Sequence, residues 1–216
     1  SMESNSKERR ELIHRLKAQG REREIQAELA KLRPKNIKKE FAYLEGQDAQ
    51  NYLHDVSHAQ EYALLNRLII ASIIIHNMGW KELAIDAFDT VHNYIDLDHM
   101  ILRKGAISAN KGERVIIPLN MRDGSIIAYG KGSADWNYSA PHGAGRVLSR
   151  TKAKQQLKLS DFEKTMHNVW TTSVNASTLD ESPMAYKSAD DIIGHIEDTV
   201  VIDRIMKPLY NFKASE

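Results

Sequence analysis

Apolar and polar positions divide this chain into three stretches of different rhythm. From Asp48 to Met78, the residues Tyr52, Val56, Ala59, Ala63, Asn66, Ile70 and Ile74 recur at three- and four-residue spacing. That period predicts one long core helix, with Gly79 as its stop. Inside it lies the longest apolar run, Leu68 to Ile75, which is too short to span a bilayer and reads as buried helix. Upstream, Lys7 to Leu32 is rich in helix formers with alternating charge and is interrupted by Gly20. This predicts a solvated helix or helix pair. Downstream, short β-rich runs appear at 90–95, 100–103, 114–118 and 125–129. Turn signals separate them at Lys104-Gly105, at Asn110 to Gly112 and at Arg122 to Gly124. Ser160 and Glu163 form a capping-box pattern that predicts a helix over 160–170. An extended piece over 171–176, a short helix over 190–196 and a strand over 200–206 complete the pattern. The fold class is therefore α+β, with a charged helical segment over residues 1–40 and a mixed region over 41–216.

Composition narrows the picture without naming a function. The chain has 216 residues, 42% apolar and 27% charged, within the range of an ordinary globular protein. A formal net charge of +1 gives no whole-chain attraction to nucleic acid, so RNA binding would need a local patch. The cluster Arg33, Lys35, Lys38 and Lys39 could meet RNA phosphates, but a solvated linker face is the favoured reading, because charged surface is the default. There are no cysteines, which excludes disulfides and thiolate metal sites within the chain. Ser1-Met2 reads as a protease-cleavage scar, and no signal-peptide or membrane-spanning pattern is present. A cytoplasmic or otherwise intracellular protein is the default expectation.

The candidate chemistry centres on Ser139 to Arg150, where His142 is followed by Gly143, Ala144, Gly145 and Arg146. Small residues allow a bulky anion to approach the imidazole. Arg146 and Arg150, four apart, would share a face if the segment were helical, and each could grip phosphate as a fork. A histidine beside phosphate-binding groups is a candidate nucleophile, against the alternative of an ordinary loop histidine. His54 and His58 also have metal-ligand spacing on one helix face, but no further ligand set accompanies them.

The segment His142 to Arg146 resembles the H-G-A-G-R signature of the RtcB family of RNA ligases, and the resemblance runs from about Glu40 to Lys213. It implies an RtcB-like fold of mixed sheets and a long core helix, with His142 guanylylated by GTP. Val91 to Ile95 resembles the family's H-N-Y strand, which implies that His92 is a manganese ligand and that Asn93 contacts the guanylate. Arg103 to Ala106 resembles the R-K-G-A turn, whose lysine, here Lys104, is needed for activity. Pro118, Leu119, Asn120 and Met121, with Ser125, resemble the guanylate-binding segment, although Leu119 and Asn120 replace a glycine and a serine. Tyr186 resembles the tyrosine that packs on guanine, and Lys213 the terminal lysine that recognises it. Glu61 to Arg67 fits the family's long helix in a structural role.

The resemblance implies GTP and Mn2+ as cofactors and His142, Arg146 and Lys104 as catalytic residues. The implied reaction joins RNA 3′-phosphate or 2′,3′-cyclic phosphate ends to 5′-hydroxyl ends through a histidine–GMP intermediate. The family's first half supplies the remaining metal ligands and has no counterpart in this sequence. The chain thus resembles the C-terminal half of such a ligase, inactive by itself. Its expected partners are RNA ends, the complementary N-terminal half or an activating protein, and no membrane. Two alternatives stand beside this: a non-catalytic RNA- or nucleotide-binding assembly module derived from such a ligase, and a nucleotidyltransferase with another acceptor.

Overall fold

A computed structural model describes residues 2–32, 42–80 and 87–213, so the basic cluster of Arg33, Lys35, Lys38 and Lys39 lies outside the described residues. The chain divides into two compact units, Ser1–Ser72 and Ile73–Glu216. Both helices and small antiparallel sheets are present, as an α+β fold requires.

In the first unit, helix α1 (Met2–Ala18) ends ahead of Gly20 and is followed by a 3-10 turn and helix α2 (Ile25–Lys31). Leu12 and Leu16, four apart on α1, are buried, while α2 buries no residue completely. Helix α3 (Gly46–Asn77) begins in this unit and matches the predicted long helix closely in extent. The expected burial is not found. No residue of α3 is buried, and Ile69 in the middle of the apolar run is 58% exposed. Periodicity identifies the residues that a partner surface would cover; it does not supply the surface. On α3 the His54 and His58 rings meet edge-on with centroids 4.4 Å apart. His58 Nδ1 donates to the His54 carbonyl, so that nitrogen is committed to the helix. Among the described residues no helix is long and apolar enough to cross a membrane.

The second unit is built on two antiparallel three-stranded sheets. One has the order β1 (His92–Asp96), β2 (Ile101–Ser108), β5 (Ser139–Pro141). The other has the order β3 (Arg114–Asn120), β4 (Gly124–Gly130), β7 (Val200–Met206). Both inter-strand turns predicted at Asn110 to Gly112 and Arg122 to Gly124 are present, and the last strand falls where its sequence placed it. Alternation along β3 buries Val115, Ile117 and Leu119, and β4 adds Ile126 and Ala128. Ile192 and Ile196 of helix α6 (Ala189–Ile196) pack on these, four apart on its apolar face. A second cluster gathers Met121, Phe162, Met166, Val169 and Leu179.

Two local expectations fail. Lys104-Gly105 is not a turn between strands, because β2 runs straight through it. Between the paired positions His92↔Ile107 and Tyr94↔Arg103, the three residues Lys104, Gly105 and Ala106 stand opposite Asn93 alone. This is a β-bulge, with Gly105 at φ +68° and Asn93 at φ +55°. The Asn93 side-chain carbonyl accepts the Gly105 N–H at 2.7 Å and pins the bulge. The capping box at Ser160 is also absent. Helix α5 is Leu159–Thr165, its N-cap is Lys158, and no side chain caps it, so Ser160 lies inside the first turn. The stretch after it is extended only at β6 (Trp170–Thr171), which pairs in parallel with β8 (Tyr210–Asn211), and a 3-10 helix follows at Ala176–Glu181.

Candidate active site

Strand β5 ends at Pro141, paired with Ala106 on β2, so the next residue, His142, falls opposite Gly105 in the same register. The bulge turns the Gly105 carbonyl toward it. His142 Nδ1 lies 2.7 Å from that oxygen, and the His142 N–H also reaches it at 3.4 Å. A carbonyl only accepts, so Nδ1 carries the proton and Nε2 of the neutral ring keeps its lone pair. The His92 ring stacks on His142, with centroids 5.2 Å apart and planes within 10°. Hydrogen bond and stack together fix both the tautomer and the plane of the imidazole.

Beneath this bulge the sheet is held by a buried charge. Arg103 is 2% exposed and donates to Asp96 at 2.9 Å, to the Tyr94 hydroxyl at 3.0 Å and to the Ser139 hydroxyl at 3.0 Å. It thereby ties β1, β2 and β5 together on the strand that carries Gly105. Burial pushes the Asp96 carboxyl up, but hydrogen bonds from Arg103 and from the backbone and ring of His99 outweigh it and hold the pKa at about 2.

His142 opens onto a cavity of about 620 Å³. One wall is Pro118 to Met121, Gly124 and Ser125 from the β3–β4 hairpin, and another is His142 to Arg146. Arg150, Glu181 and Tyr186 close a third side, with Met206 to Pro208, Asn211 and Lys213 from the chain end. Gly143 is where the two first walls meet: a Cβ there would stand 2.9 Å from the Pro118 carbonyl, which accepts the Ala144 N–H at 3.0 Å. A larger residue would force the His142 loop away from the hairpin.

Most sequence-predicted positions therefore converge. Pro118, Leu119, Asn120, Met121, Ser125, His142, Gly143, Ala144, Gly145, Arg146, Tyr186 and Lys213 all line one cavity. His92, Asn93 and Lys104 do not. His92 supports the outer side of His142, Asn93 pins the bulge, and Lys104 is exposed on β2 beside Gly105. Asn120 lines the cavity, but its side chain is occupied in the hairpin turn. Its carbonyl oxygen accepts the Arg122 and Asp123 N–H groups, and its amide donates to Asp123 at 2.8 Å.

The arginines are arranged differently from the shared helix face the spacing suggested. Arg146 sits in an isolated bridge with Tyr186, and Arg150 opens helix α4 (Arg150–Gln156), capped by the Ser149 hydroxyl. They meet on one acid instead: Glu181 Oε1 lies 3.3 Å from Arg146 and 3.4 Å from Arg150. Arg146 also donates to the carbonyls of Leu148 and Asp180 and to the Tyr186 hydroxyl. Its guanidinium lies over the Tyr186 ring, 4.8 Å from the centroid. Four of its five N–H donors are thus spent on the protein, so its charge faces the cavity more than its hydrogen-bonding fork does. The adjacent Asp180 pairs with Arg150 at 3.0 Å and Lys154 at 3.4 Å.

Asp180 and Glu181 are the residues that sequence reasoning missed. Their one signal is an acidic pair six and five residues ahead of Tyr186, and nothing local to it points to cations on a distant segment. Burial raises the Tyr186 hydroxyl first, and its hydrogen bond to Glu181 raises it further, to about 12, so it stays a donor. Among the described residues no group of three His, Cys, Asp or Glu side chains converges on a metal-sized point. His92 has one neighbouring imidazole, His142, and that ring is already anchored on Gly105. A complete metal centre does not fit these residues.

The sequence model of the family described as tRNA-splicing ligase RtcB matches residues 10–214. The RNA-splicing ligase RtcB of Escherichia coli strain K12 is 32% identical over 176 residues, which cover 74% of this chain and 43% of that protein. RNA-splicing ligase RtcB1 of Escherichia coli strain ATCC 25922 is 34% identical over 176 residues, with the same shares. The tRNA-splicing ligase RtcB of Aeropyrum pernix is 28% identical over 200 residues, covering 75% of this chain and 41% of that protein. The chain spans a little over two fifths of the length of these curated relatives.

Proposed function

Since this chain belongs to the RtcB family of RNA ligases, we propose that its cavity receives a guanosine nucleotide and that His142 takes up the guanylyl group. In this reading His142 Nε2 attacks the α-phosphorus of GTP, the N–P bond forms, the bond to the β-phosphate oxygen breaks and pyrophosphate leaves. The Gly105 carbonyl holds the Nδ1 proton throughout and stabilises the positive charge that the ring acquires. The guanylyl group then passes to an RNA 3′-phosphate: an oxygen of that phosphate attacks the guanylate phosphorus and the N–P bond breaks. A 5′-hydroxyl displaces GMP from the activated end and joins the strands. Arg146, Arg150 and Lys213 supply positive charge around the cavity, and Lys104, on the strand beside Gly105, offers an exposed cation to RNA phosphate. Pro118, Leu119, Met121 and Ser125 with Gly143 to Gly145 form the walls around the guanylate, and the free face of Tyr186 stacks on the base.

The observation that carries this reading is the 2.7 Å contact of His142 Nδ1 with the Gly105 carbonyl, which assigns the proton to Nδ1, at the edge of a nucleotide-sized cavity. Manganese belongs to the reading only as an ion that His92 would help to hold with ligands from outside the described residues, and no step above is routed through it. For the same reason the chain by itself is expected to be inactive in ligation. The second reading, a guanylate- or RNA-binding module without catalysis, is favoured by the incomplete ligand set alone.

The test uses GTP labelled at the α-phosphate, with Mn2+. The chain is incubated alone and together with a polypeptide covering the part of the Escherichia coli relative that it does not match. Acid-labile, alkali-stable label on the chain in the mixture, lost in His142→Ala, is the expected result. Absence of label together with absence of GMP binding overturns the reading; GMP binding without label in any mixture selects the module.

A further inference from the structure

We propose that Glu181 is a positioning residue of the cavity, whose carboxylate holds Tyr186 and Lys213 on one wall so that a guanine base meets both. The inference rests on the reading of the cavity as a guanylate site. Glu181 ends the 3-10 helix Ala176–Glu181, whose start is fixed by a reciprocal capping box between Asn175 and Thr178. A capped turn therefore delivers the carboxylate, and its side chain is only 14% exposed.

The two oxygens divide their partners. Oε1 faces Arg146 and Arg150, while Oε2 accepts the Tyr186 hydroxyl at 2.8 Å and faces the Lys213 ammonium at 3.3 Å. Oε1 accepts a hydrogen bond from Arg146 and Oε2 one from Tyr186, and Arg150 and Lys213 lie at ion-pair distance, so Glu181 is engaged by four neighbours of its own chain. It holds no proton to give. Burial raises its carboxyl, but Tyr186, Lys213 and Arg146 outweigh that and leave the group below its usual range. These contacts favour anchoring of neighbours over direct base reading or general acid catalysis.

Lys213 is the neighbour with donors to spare. Among the described residues its ammonium has Glu181 as its only partner, so two of its three N–H groups are available to a ligand carbonyl. Its backbone is held through Ser173, which accepts the Lys213 N–H at 2.8 Å. The ammonium is held by Glu181. The acid also limits repulsion among its neighbours, since Arg146, Arg150 and Lys213 all pair with Glu181, and Arg150 and Lys154 pair with the adjacent Asp180.

Two measurements test this on the whole chain with Glu181→Gln, Lys213→Met and the double variant. The first is calorimetric binding of GMP and of AMP. Glu181→Gln is expected to cut the preference for GMP by about tenfold, the size of one charge-assisted hydrogen bond. Lys213→Met should cut it equally, and the double variant no further. The second is the acetylation rate of Lys213 by acetic anhydride, read by mass spectrometry without nucleotide. Glu181→Gln should make Lys213 react several-fold faster, with the other lysines unchanged. An unchanged Lys213 rate overturns the proposal, as does a double variant whose loss is the product of the two single losses. If the unsubstituted chain binds GMP and AMP alike, the guanylate reading falls, and the acetylation rate still decides whether Glu181 anchors Lys213. Lys213→Met removes a half-exposed tail side chain outside the core, so its result does not depend on how well Glu181→Gln folds.

Discussion

The rings of His92 and His142 lie parallel, 5.2 Å apart between centroids and within 10° in plane. His92 is therefore a support for the proposed nucleophile as well as a candidate ligand, and the two roles separate chemically. His92→Phe keeps a flat ring for stacking but removes the ligating nitrogen. It is expected to retain GMP binding within about twofold while abolishing Mn-dependent labelling of His142 in the complemented enzyme. His92→Ala is expected to weaken both. Equal loss of GMP binding in the two variants would show that stacking is not what His92 contributes.

Gly105 offers a test of the bulge. Its φ of +68° is costly for a residue with a Cβ, although the Cβ itself would make ordinary contact with the His142 ring at 3.7 Å. Gly105→Ala is expected to cost about 1–2 kcal/mol of stability from backbone strain. It should cost labelling more than stability, because the carbonyl that holds Nδ1 moves with the strain. Gly105→Asn, better suited to the left-handed region, should recover part of both. Urea unfolding and GTP labelling on the same preparations check this.

Asp96 gives the sheet an acid limit. Its folded pKa is about 2, below the unfolded value near 3.8. The carboxylate's contribution is therefore complete above the unfolded value and is lost as pH falls through about 2. Unfolding midpoints in urea are expected to decline between pH 4 and pH 2. Asp96→Asn should flatten that decline. At pH 7 it should also destabilise by about 3 kcal/mol, because Arg103 is left buried without its counter-charge.

The apolar surface of α3 predicts an asymmetry between elements. Ile70→Lys and Ile74→Lys replace side chains about half exposed, so each is expected to change stability by no more than about 0.5 kcal/mol and to improve solubility. Phe162→Ala removes a fully buried ring and is expected to cost about 3–5 kcal/mol. Chemical denaturation of the three variants distinguishes them; a large loss at Ile70 or Ile74 would mean that the helix is covered in solution.

Strands were legible where β-branched runs met turn signals, as at β3, β4 and β7, because local chemistry decides those elements. Lys104-Gly105 was misread because a glycine at positive φ serves a turn and a bulge equally; the choice is made by Asn93 on the neighbouring strand. Ser160 has the right partner spacing for a cap, yet α5 starts ahead of it, with Lys158 at the N-cap and Phe162 and Met166 packed in the second core cluster. The length of α3 was readable from its period, whereas its burial was not, since burial belongs to two surfaces. The cavity walls come from segments far apart in sequence, and only the family resemblance grouped them. Asn120 lines the cavity with the other residues of its segment, while its amide donates to Asp123 in the same turn, a local pairing that the family pattern does not reveal. Asp180 and Glu181 stayed unread for the opposite reason, since the cations that give them meaning are distant.

The group that fixes the proton on His142 is a peptide oxygen, not a side chain. A scan that exchanges residues for alanine one at a time would pass over it, registering only the damage done at Gly105 by a wrong backbone shape. Replacing that one oxygen by sulfur through chemical ligation would weaken the acceptor without altering any residue's identity. The poise of the imidazole is in this sense written into the path of the ribbon, and redesign of the centre would begin with the ribbon's curvature before its decorations.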